Sequence, residues 1–443
     1  MKVDDIELRG QVLRTGDGGY DTARRVFNAM IDRHPALILR CADVEDVVRG
    51  VTFARTHALP LTVKGGGHGV AGHAVCDKGL LLDLSTMKGL RVDPGRRVAT
   101  VQAGVTLGDL DHATQAFGLA TPTGVVSMTG LSGLALGGGL GWLSGQYGLT
   151  CDNLLAVDLV AASADRITAS PQENQDLFWG LRGGGGNFGV ATSFTVRLHP
   201  VDQVLAGAVT YPPSKARAAL RVYRELASTS ADQLTANASV WKTPEGDAAV
   251  SVAVCYTGAV ADGDQLLVPL RKLGPESDAI QPMSYRALQQ ASDDTFPPGQ
   301  QHYWKSGWLT VLGDDVIDLM IDGVAKAPSE TSAVGLQQLH GAAARIDPTD
   351  TAFAHRGPRY DCLILSQWPD PAVSPRNIAW TRELFAALQP FFGASVYVNN
   401  LGDEGAHRVK QAYGPNYEHL VALKTKYDPT NFFHHNQNIP PHG

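Results

Sequence analysis

The sequence predicts an α+β protein of two or three domains, on three observations. A chain of 443 residues is long for one domain. Up to about residue 200, strand and helix signals alternate. Beyond that, strands outnumber helices and are joined by short turns or single helices, the pattern of an antiparallel sheet covered by helices on one face.

The elements follow in order. Leu37-Ile38-Leu39 is a short apolar strand, and Asp43 stands at a helix N-cap before Val44, Val47, Val48 and Val51. Leu59 to Val63 and Leu80 to Leu84 are strands. Asp93-Pro94-Gly95 is the turn of a hairpin, Thr106 to Phe117 a helix stopped by Gly118, and Leu154 to Ala162 with Arg166 to Ala169 a second hairpin. Val190 to Leu198 is a strand closed by His199-Pro200. Then come a strand at Leu205 to Tyr211, a helix at Ser214 to Ala227, and two strands flanking the turn Pro244 to Asp247. Gly263 to Leu273 and Val316 to Ala325 read as helices. Val334 to Leu339, Tyr360 to Leu365 and Val396 to Val398 read as strands. Val409 to Lys426 is a helix broken at Gly414-Pro415.

Composition narrows the partners. The net charge is −7 and no basic stripe appears, which argues against nucleic acid. No run of roughly 18 apolar residues predicts a membrane span. The start, Met1 to Asp5, carries acids and no apolar signal region. The five cysteines are scattered and form no C-x-x-C pair, as expected of reduced thiols in a cytoplasmic protein. His434-His435 supplies too few convergent ligands for a metal.

Of the 48 glycines, many cluster between Gly65 and Gly189. Lys64-Gly65-Gly66-Gly67-His68-Gly69 sets a histidine in a loop whose backbone N–H groups can approach a ligand. Gly67-x-Gly69-x-x-Gly72 and Gly184-x-Gly186-x-x-Gly189 both match the dinucleotide fingerprint. That motif needs a helix after it, and both runs lead instead into β-rich sequence, so neither is a Rossmann turn. Phosphates would then be held by loops without a helix dipole. With the block Gly130 to Gly141, one extended ligand touched by several loops accounts for all three.

Lys64 to Gly72, Gly130 to Gly141, Arg182 to Gly189, and Tyr427-Asp428-Pro429-Thr430-Asn431-Phe432-Phe433 running to Pro440 carry a resemblance. In these residues the chain resembles bacterial berberine-bridge-enzyme-like flavoprotein oxidases of the vanillyl-alcohol-oxidase superfamily. The resemblance implies a PCMH-type, two-subdomain FAD-binding domain at 1–200, an inserted substrate domain at 201–400, and a segment at 401–443 returning to the FAD domain. His68 falls where the family bonds the flavin 8α-methyl, and Val126 where many relatives bond it through cysteine. The resemblance therefore implies FAD bound covalently through His68 only. It also places cofactor contacts at Lys64, Gly65, Gly66, Gly67 and Gly69; at Thr129, Gly130, Ser132, Gly133, Gly138 and Gly141; at Gly184, Asn187, Gly189 and Val190; and at Asn399, Asn436 and Asn438. Thr129 borders the family's oxygen path and is small enough to leave it open.

The family's chemistry is hydride transfer to flavin N5 and reoxidation by O2 to H2O2. An alcohol needs a base for its O–H proton; a neutral amine already has a lone pair. Relatives place a basic tyrosine at the end of Tyr-x-Asn-Tyr, but this chain has Tyr397-Val398-Asn399-Asn400, and Asn400 takes no proton. The tyrosine some relatives carry two places after the histidine is Val70 here. Lys305, within His302-Tyr303-Trp304-Lys305-Ser306, is expected to reach the flavin face, with Tyr303 and Tyr397 as further catalytic candidates. His355-Arg356 is a weaker polar candidate. The expectation is an FAD-dependent oxidase taking hydride from a CH–NH or CH–OH group of a small organic or secondary metabolite. Alternatives are a carbohydrate or alcohol oxidase, a flavin-N5-oxygen monooxygenase-like enzyme, or a catalytically silent flavoprotein. Its partners would be that small molecule and O2, and the protein a cytoplasmic monomer or homodimer.

Overall fold

The computed structural model describes residues 8–442, and the α+β expectation is borne out by four sheets with flanking helices. The acidic start, Met1 to Asp5, lies outside the described residues.

Strands Leu37–Arg40, Leu61–Lys64 and Leu80–Asp83 run parallel, with Gln11–Leu13 antiparallel at one edge. Parallel strands need a crossover, and helix Val44–Thr56 provides the first. Asp43 caps it as expected, its carboxylate accepting from the amides of Glu45 and Asp46. A second, antiparallel sheet runs Leu90–Asp93, Val98–Gln102, Val190–Arg197, Leu154–Val160, Arg166–Ala169, and contains both expected hairpins. One core joins these two sheets to the C-terminal segment: Leu39, Leu82, Val101 and Phe194 share a cluster with Val396, Tyr413, Leu423 and Ile439.

The remaining large sheet is antiparallel, in the order Ser277–Asp278, Gln203–Tyr211, Ala248–Tyr256, Leu234–Lys242, Ala333–Leu339, Arg359–Trp368, Gln301–Leu309; Gln281–Ser284 also pairs with Gln203–Tyr211. Paired residues share a face and successive residues alternate. One face carries Val209, Val250, Val240, Val334 and Ile364 under helices Ala216–Thr229, Asp314–Ala325 and Ser374–Leu388. The other carries Ser251, Asn237, Ser239, Trp241, Gln337 and Leu363, half-buried and largely polar.

Four departures from expectation bear on the site or the sheet that covers it. Val396 to Val398 is no strand; a 3-10 turn spans Val398–Asn400, fixed by the side chains of Tyr397 and Asn399. The block Gly130 to Gly141 contains helix Leu131–Gly137, because Leu131 and Ala135 bury one helical face despite the glycines. Helix Ser374–Leu388 went unforeseen, although Trp380, Leu384 and Leu388 bury one face at i, i+4 and i+8. The single helix expected at Gly263 to Leu273 is two, Val260–Leu266 and Val268–Lys272, with Pro269 opening the second. Among the described residues no helix is long and apolar enough to cross a membrane.

Candidate functional site

As the Rossmann exclusion requires, the residues after Gly72 lead to strand Leu80–Asp83, and Gly189 leads directly into Val190–Arg197. The expectation of loops alone is corrected at one point, since Gly130 stands at the N-cap of helix Leu131–Gly137.

A cavity of about 190 Å³ lies between the two N-terminal sheets and the tail. It brings together Gly65, Ser132, Gly133, Gly189, Val190 and Asn436 from the expected set, and adds His73 and His435. His73 Nε2, His435 Nε2 and Asn436 Oδ1 are buried there without a protein partner, as are Asn438 Oδ1 and His68 Nε2 nearby in sequence. Native proteins rarely leave such atoms unsatisfied. A Cβ on Gly69, Gly133 or Gly186 would meet nothing within 4 Å. The result is a glycine-lined cleft with unspent donors and acceptors along it. Burial pushes the pKa of His435 down to about 4 and lowers that of His73, so both imidazoles are neutral. A larger hollow of about 440 Å³, beside Arg96, Arg97 and Arg197, is an open surface depression holding none of the expected residues.

Several expected contacts are already committed to protein. Lys64 is buried and turns to Asp83 (3.4 Å) and the Ala23 carbonyl, so it does not face the cavity. A Cβ on Gly66 would land on the Gly130 amide and the reverse also holds, so these glycines let two backbones touch. Gly138 is hemmed by the Phe353 ring, Gly141 by the Thr123 carbonyl and Gly184 by the Gly180 carbonyl. Gly67 adopts φ +67°, which turns the loop toward His68. Asn187 donates to the carbonyls of Gly184 (2.9 Å) and Gln437 (3.2 Å) and accepts from Ile439 N (3.0 Å), tying the tail down. Asn399 donates to Leu134 O (3.1 Å) and the Tyr397 hydroxyl (2.9 Å). The Val126–Thr129 turn is closed by Thr129 N donating to Val126 O (3.1 Å), and Gly130 carries it onto Gly66.

The His68 ring stacks on Phe27 at 4.0 Å, and Phe27 stacks on His302 at 4.1 Å. Trp304 stands edge-on to Phe27 and His302, at 5.8 and 5.7 Å. Asn28 locks the contact: its amide donates to the carbonyls of Val70 and His302 (both 2.9 Å), and its oxygen accepts from His302 N (3.0 Å). Burial pushes His68 down to about 4 and His302 to about 3, so both rings are neutral.

Strand parity then overturns two catalytic assignments. His302, Trp304, Ser306 and Trp308 point toward His68 and the polar sheet face, so Tyr303 and Lys305 point away. The Tyr303 hydroxyl accepts from Arg382 (3.1 Å), and Lys305 pairs with Glu404 (2.5 Å) over the Phe385 ring (4.7 Å); Arg382 and Phe385 belong to the covering helix Ser374–Leu388. Tyr397 is no base either. Its hydroxyl accepts from Gly139 N (2.8 Å) and Leu140 N (3.3 Å), and burial holds its pKa well above the ordinary phenol. His355 bonds the Ala412 carbonyl and Arg356 a buried Asp152, so that pair is structural.

The sequence reading missed Asp361. It is fully buried and pairs in register with Trp308 and Gln337, which places it on the polar face. Its Oδ2 accepts from the Asn400 amide (2.5 Å), while Oδ1 has no partner. Burial pushes its pKa up to about 7. Its register with Trp308 is a tertiary pairing that no local sequence signal gives.

Comparison with known proteins agrees with this geometry. Residues 35–170 match the family described as FAD binding domain, and residues 396–440 the family described as berberine and berberine like. The chain is 35% identical over 439 residues to an FAD-linked oxidoreductase of Dictyostelium discoideum, spanning 98% of this chain and 95% of that protein. It is 32% identical over 453 residues to the (R)-6-hydroxynicotine oxidase of Paenarthrobacter nicotinovorans, spanning 99% and 98%. Its fold matches the crystal structure of 6-hydroxy-D-nicotine oxidase from Arthrobacter nicotinovorans with a TM-score of 0.90 at 31% identity, over 98% of this chain and 99% of that one. The expected PCMH-type FAD-binding fold and FAD itself are borne out. The unspent His and Asn atoms and the open glycines of the cleft fit such a cofactor.

Proposed function

The chain belongs to the berberine-bridge-enzyme-like FAD-linked oxidoreductases, and from that premise we propose an oxidase acting on a CH–NH group of a small organic molecule, with CH–OH as the second choice. The chemistry FAD supplies when bound is acceptance of the substrate's hydride, with O2 taking the electrons to give H2O2. The observation that carries this reading is the His68–Phe27–His302–Trp304 stack, which joins the glycine–histidine loop to the polar sheet face.

His68 would hold the cofactor covalently. Its ring is neutral, so a nitrogen lone pair is available, and Nε2 is unspent. Val126 offers no thiol for a second bond. His73, His435, Asn436 and Asn438 would hold the polar part, and Thr129 would leave the oxygen path open. On the substrate side, Trp304 and Trp308 wall the space. Tyr303, Lys305 and Tyr397 are all spent on other partners, which favours an amine, whose nitrogen brings its own lone pair. The nicotine oxidase relative supports the same choice. The three-part division at 1–200, 201–400 and 401–443 belongs to this proposal, supported by the core that the C-terminal segment shares with the N-terminal sheets.

Two experiments test it. Flavin fluorescence should stay with the denatured band on a gel and vanish for His68→Ala. The wild type should release H2O2 from a panel holding 6-hydroxynicotine, secondary amines and primary alcohols, amines leading. Free flavin from the wild type would remove the covalent link, and silence across the panel would remove the oxidase.

A further inference from the structure

We propose that the open hollow beside Arg96, Arg97 and Arg197 is a second ligand site, separate from the flavin cleft, and that it takes a small organic diphosphate. The inference goes beyond the oxidase reading and does not depend on it.

The hollow is built on the outward face of the second sheet. Val196 and Leu198 are buried, so Arg197 between them points outward, and Val98 pairs with it in register. Leu155, from the strand Leu154–Val160, joins Val98 in lining the hollow, and both are only half-buried, which makes an open apolar floor. Arg96 and Arg97 come from the turn that precedes Val98. Arg97 sits at φ +54°, in the left-handed region that glycine or asparagine usually takes. Its carbonyl accepts from Leu198 N (2.8 Å), which ties the turn to the strand carrying Arg197.

The three guanidiniums have no countercharge. Among the described residues, none of their side chains forms an ion pair or a hydrogen bond. Asp93, in register with Val98, accepts from Arg96 N (2.9 Å) and pairs with none of the three. Exposed arginines elsewhere are matched: Arg217, Arg221 and Arg224 surround Asp314, Arg271 reaches Asp264 and Asp278, and Arg345 pairs with Asp232. The charges also converge. Burial first, and then Arg197 and Arg97, push the pKa of His199 at the rim down to about 4. His199 is a wall, not a ligand: its Nε2 bonds Asn153 Oδ1 (2.7 Å) and its ring stacks on Tyr147 at 3.9 Å.

Three fixed positive charges around one hollow call for a di- or trianion, and the guanidinium fork matches phosphate oxygens two at a time. The volume of about 440 Å³ falls within the span of small-molecule sites. Val98 and Leu155 give a carbon framework something to lie on. The chain as a whole carries −7, which repels a long polyanion beyond the rim and leaves a short one favoured.

The test is calorimetric titration of the FAD-loaded protein with guanosine diphosphate and with inorganic pyrophosphate, at low and high salt. Guanosine diphosphate should bind with a Kd below about 1 mM at low salt and weaken at least about fivefold between about 20 and about 200 mM NaCl, while the flavin stays with the protein. Pyrophosphate, which leaves the apolar floor uncovered, should bind more weakly. Arg97→Asn with Arg197→Gln should weaken guanosine diphosphate by about tenfold or more at unchanged flavin content and melting temperature; asparagine suits the left-handed backbone at this position. Arg91→Gln is the control, since Arg91 is exposed on the same outward face, in register with Thr100 and outside the hollow, and its Kd should stay within about twofold of wild type. Should the double variant fail to fold, Arg96→Gln and Arg197→Gln singly decide, each expected to weaken binding at least about threefold. No binding of either probe, binding unmoved by the hollow's variants, an equal loss in Arg91→Gln, or displacement of flavin by the nucleotide would each overturn the site. Equal affinity for the two probes would overturn the organic ligand.

Discussion

Lys424→Met should destabilise the protein by about 3–5 kcal/mol, the cost of breaking a buried ion pair from one side. Lys424 and Asp428 have no exposed side-chain area and stand one helical turn apart at the end of helix Tyr417–Tyr427. Lys424 Nζ donates to Asp428 Oδ2 (2.7 Å), Asn187 O (2.8 Å) and Phe433 O (2.9 Å). Asp428 also accepts from the amides of Phe432 (2.8 Å) and Phe433 (2.9 Å). Methionine keeps most of the stem volume but strands a buried carboxylate and two carbonyls. Asp428→Asn in the same background removes the uncompensated charge, so the double variant should recover roughly 1–3 kcal/mol relative to additivity. Urea unfolding should be followed by tryptophan fluorescence, because Trp179 stacks on His419 of this helix at 4.1 Å. Flavin content should fall in parallel, since Asn187 also anchors the tail beside Asn436. A loss under about 1 kcal/mol, or strict additivity of the two substitutions, would refute the ion-pair account.

Three more outcomes are expected. Gly66→Ala puts a Cβ on the Gly130 backbone and should cost about 1–3 kcal/mol and lower the flavin-to-protein absorbance ratio, whereas Gly133→Ala, whose Cβ meets no protein atom and would enter the cleft, should lower the ratio with little cost in stability. Asp111 is buried, and its carboxyl rises from 3.8 to about 7, so the folded state holds this proton longer than the unfolded chain. Its stabilisation is complete below about pH 4 and is lost as pH rises to about 7, so Asp111→Asn should gain up to about 4 kcal/mol at pH 8 and little at pH 4, read from melting temperatures at both. Lys305→Met, on the helix-covered face, should change the anaerobic bleaching rate less than about threefold, whereas a loss of about 100-fold would return Lys305 to the reacting centre.

Much of the fold was legible because local chemistry dictated it. Asp43 before a periodic apolar face and Asp93-Pro94-Gly95 between apolar runs both specify their structures without tertiary help. Helix Leu131–Gly137 was hidden because glycines signal turns, while what holds it is burial of Leu131 and Ala135 in a core no local window shows. Val396 and Val398 read as β-formers, yet the chain turns there because Tyr397 must reach the amides of residues 139 and 140, far away in sequence. β-Propensity yields to such long-range bonds.

The site was half legible for a related reason. Gly65, Ser132, Gly133, Gly189 and Asn436 come together in the cleft because their motifs fix backbone shape, and backbone is much of what lines it. Lys64, Asn187 and Asn399 belong to the same motifs but spend their polar atoms holding loops to one another. On the substrate side the error was one of parity. His302-Tyr303-Trp304-Lys305 was read as one cluster, although a strand sends alternate residues to opposite faces. Choosing between the two sets requires knowing which face the helices cover. The helix responsible, Ser374–Leu388, is absent from the sequence-based expectation. Placing it assigns Lys305 to the core side, leaves His302 and Trp304 against His68, and carries Asp361, through its register with Trp308, onto the face where the substrate must lie.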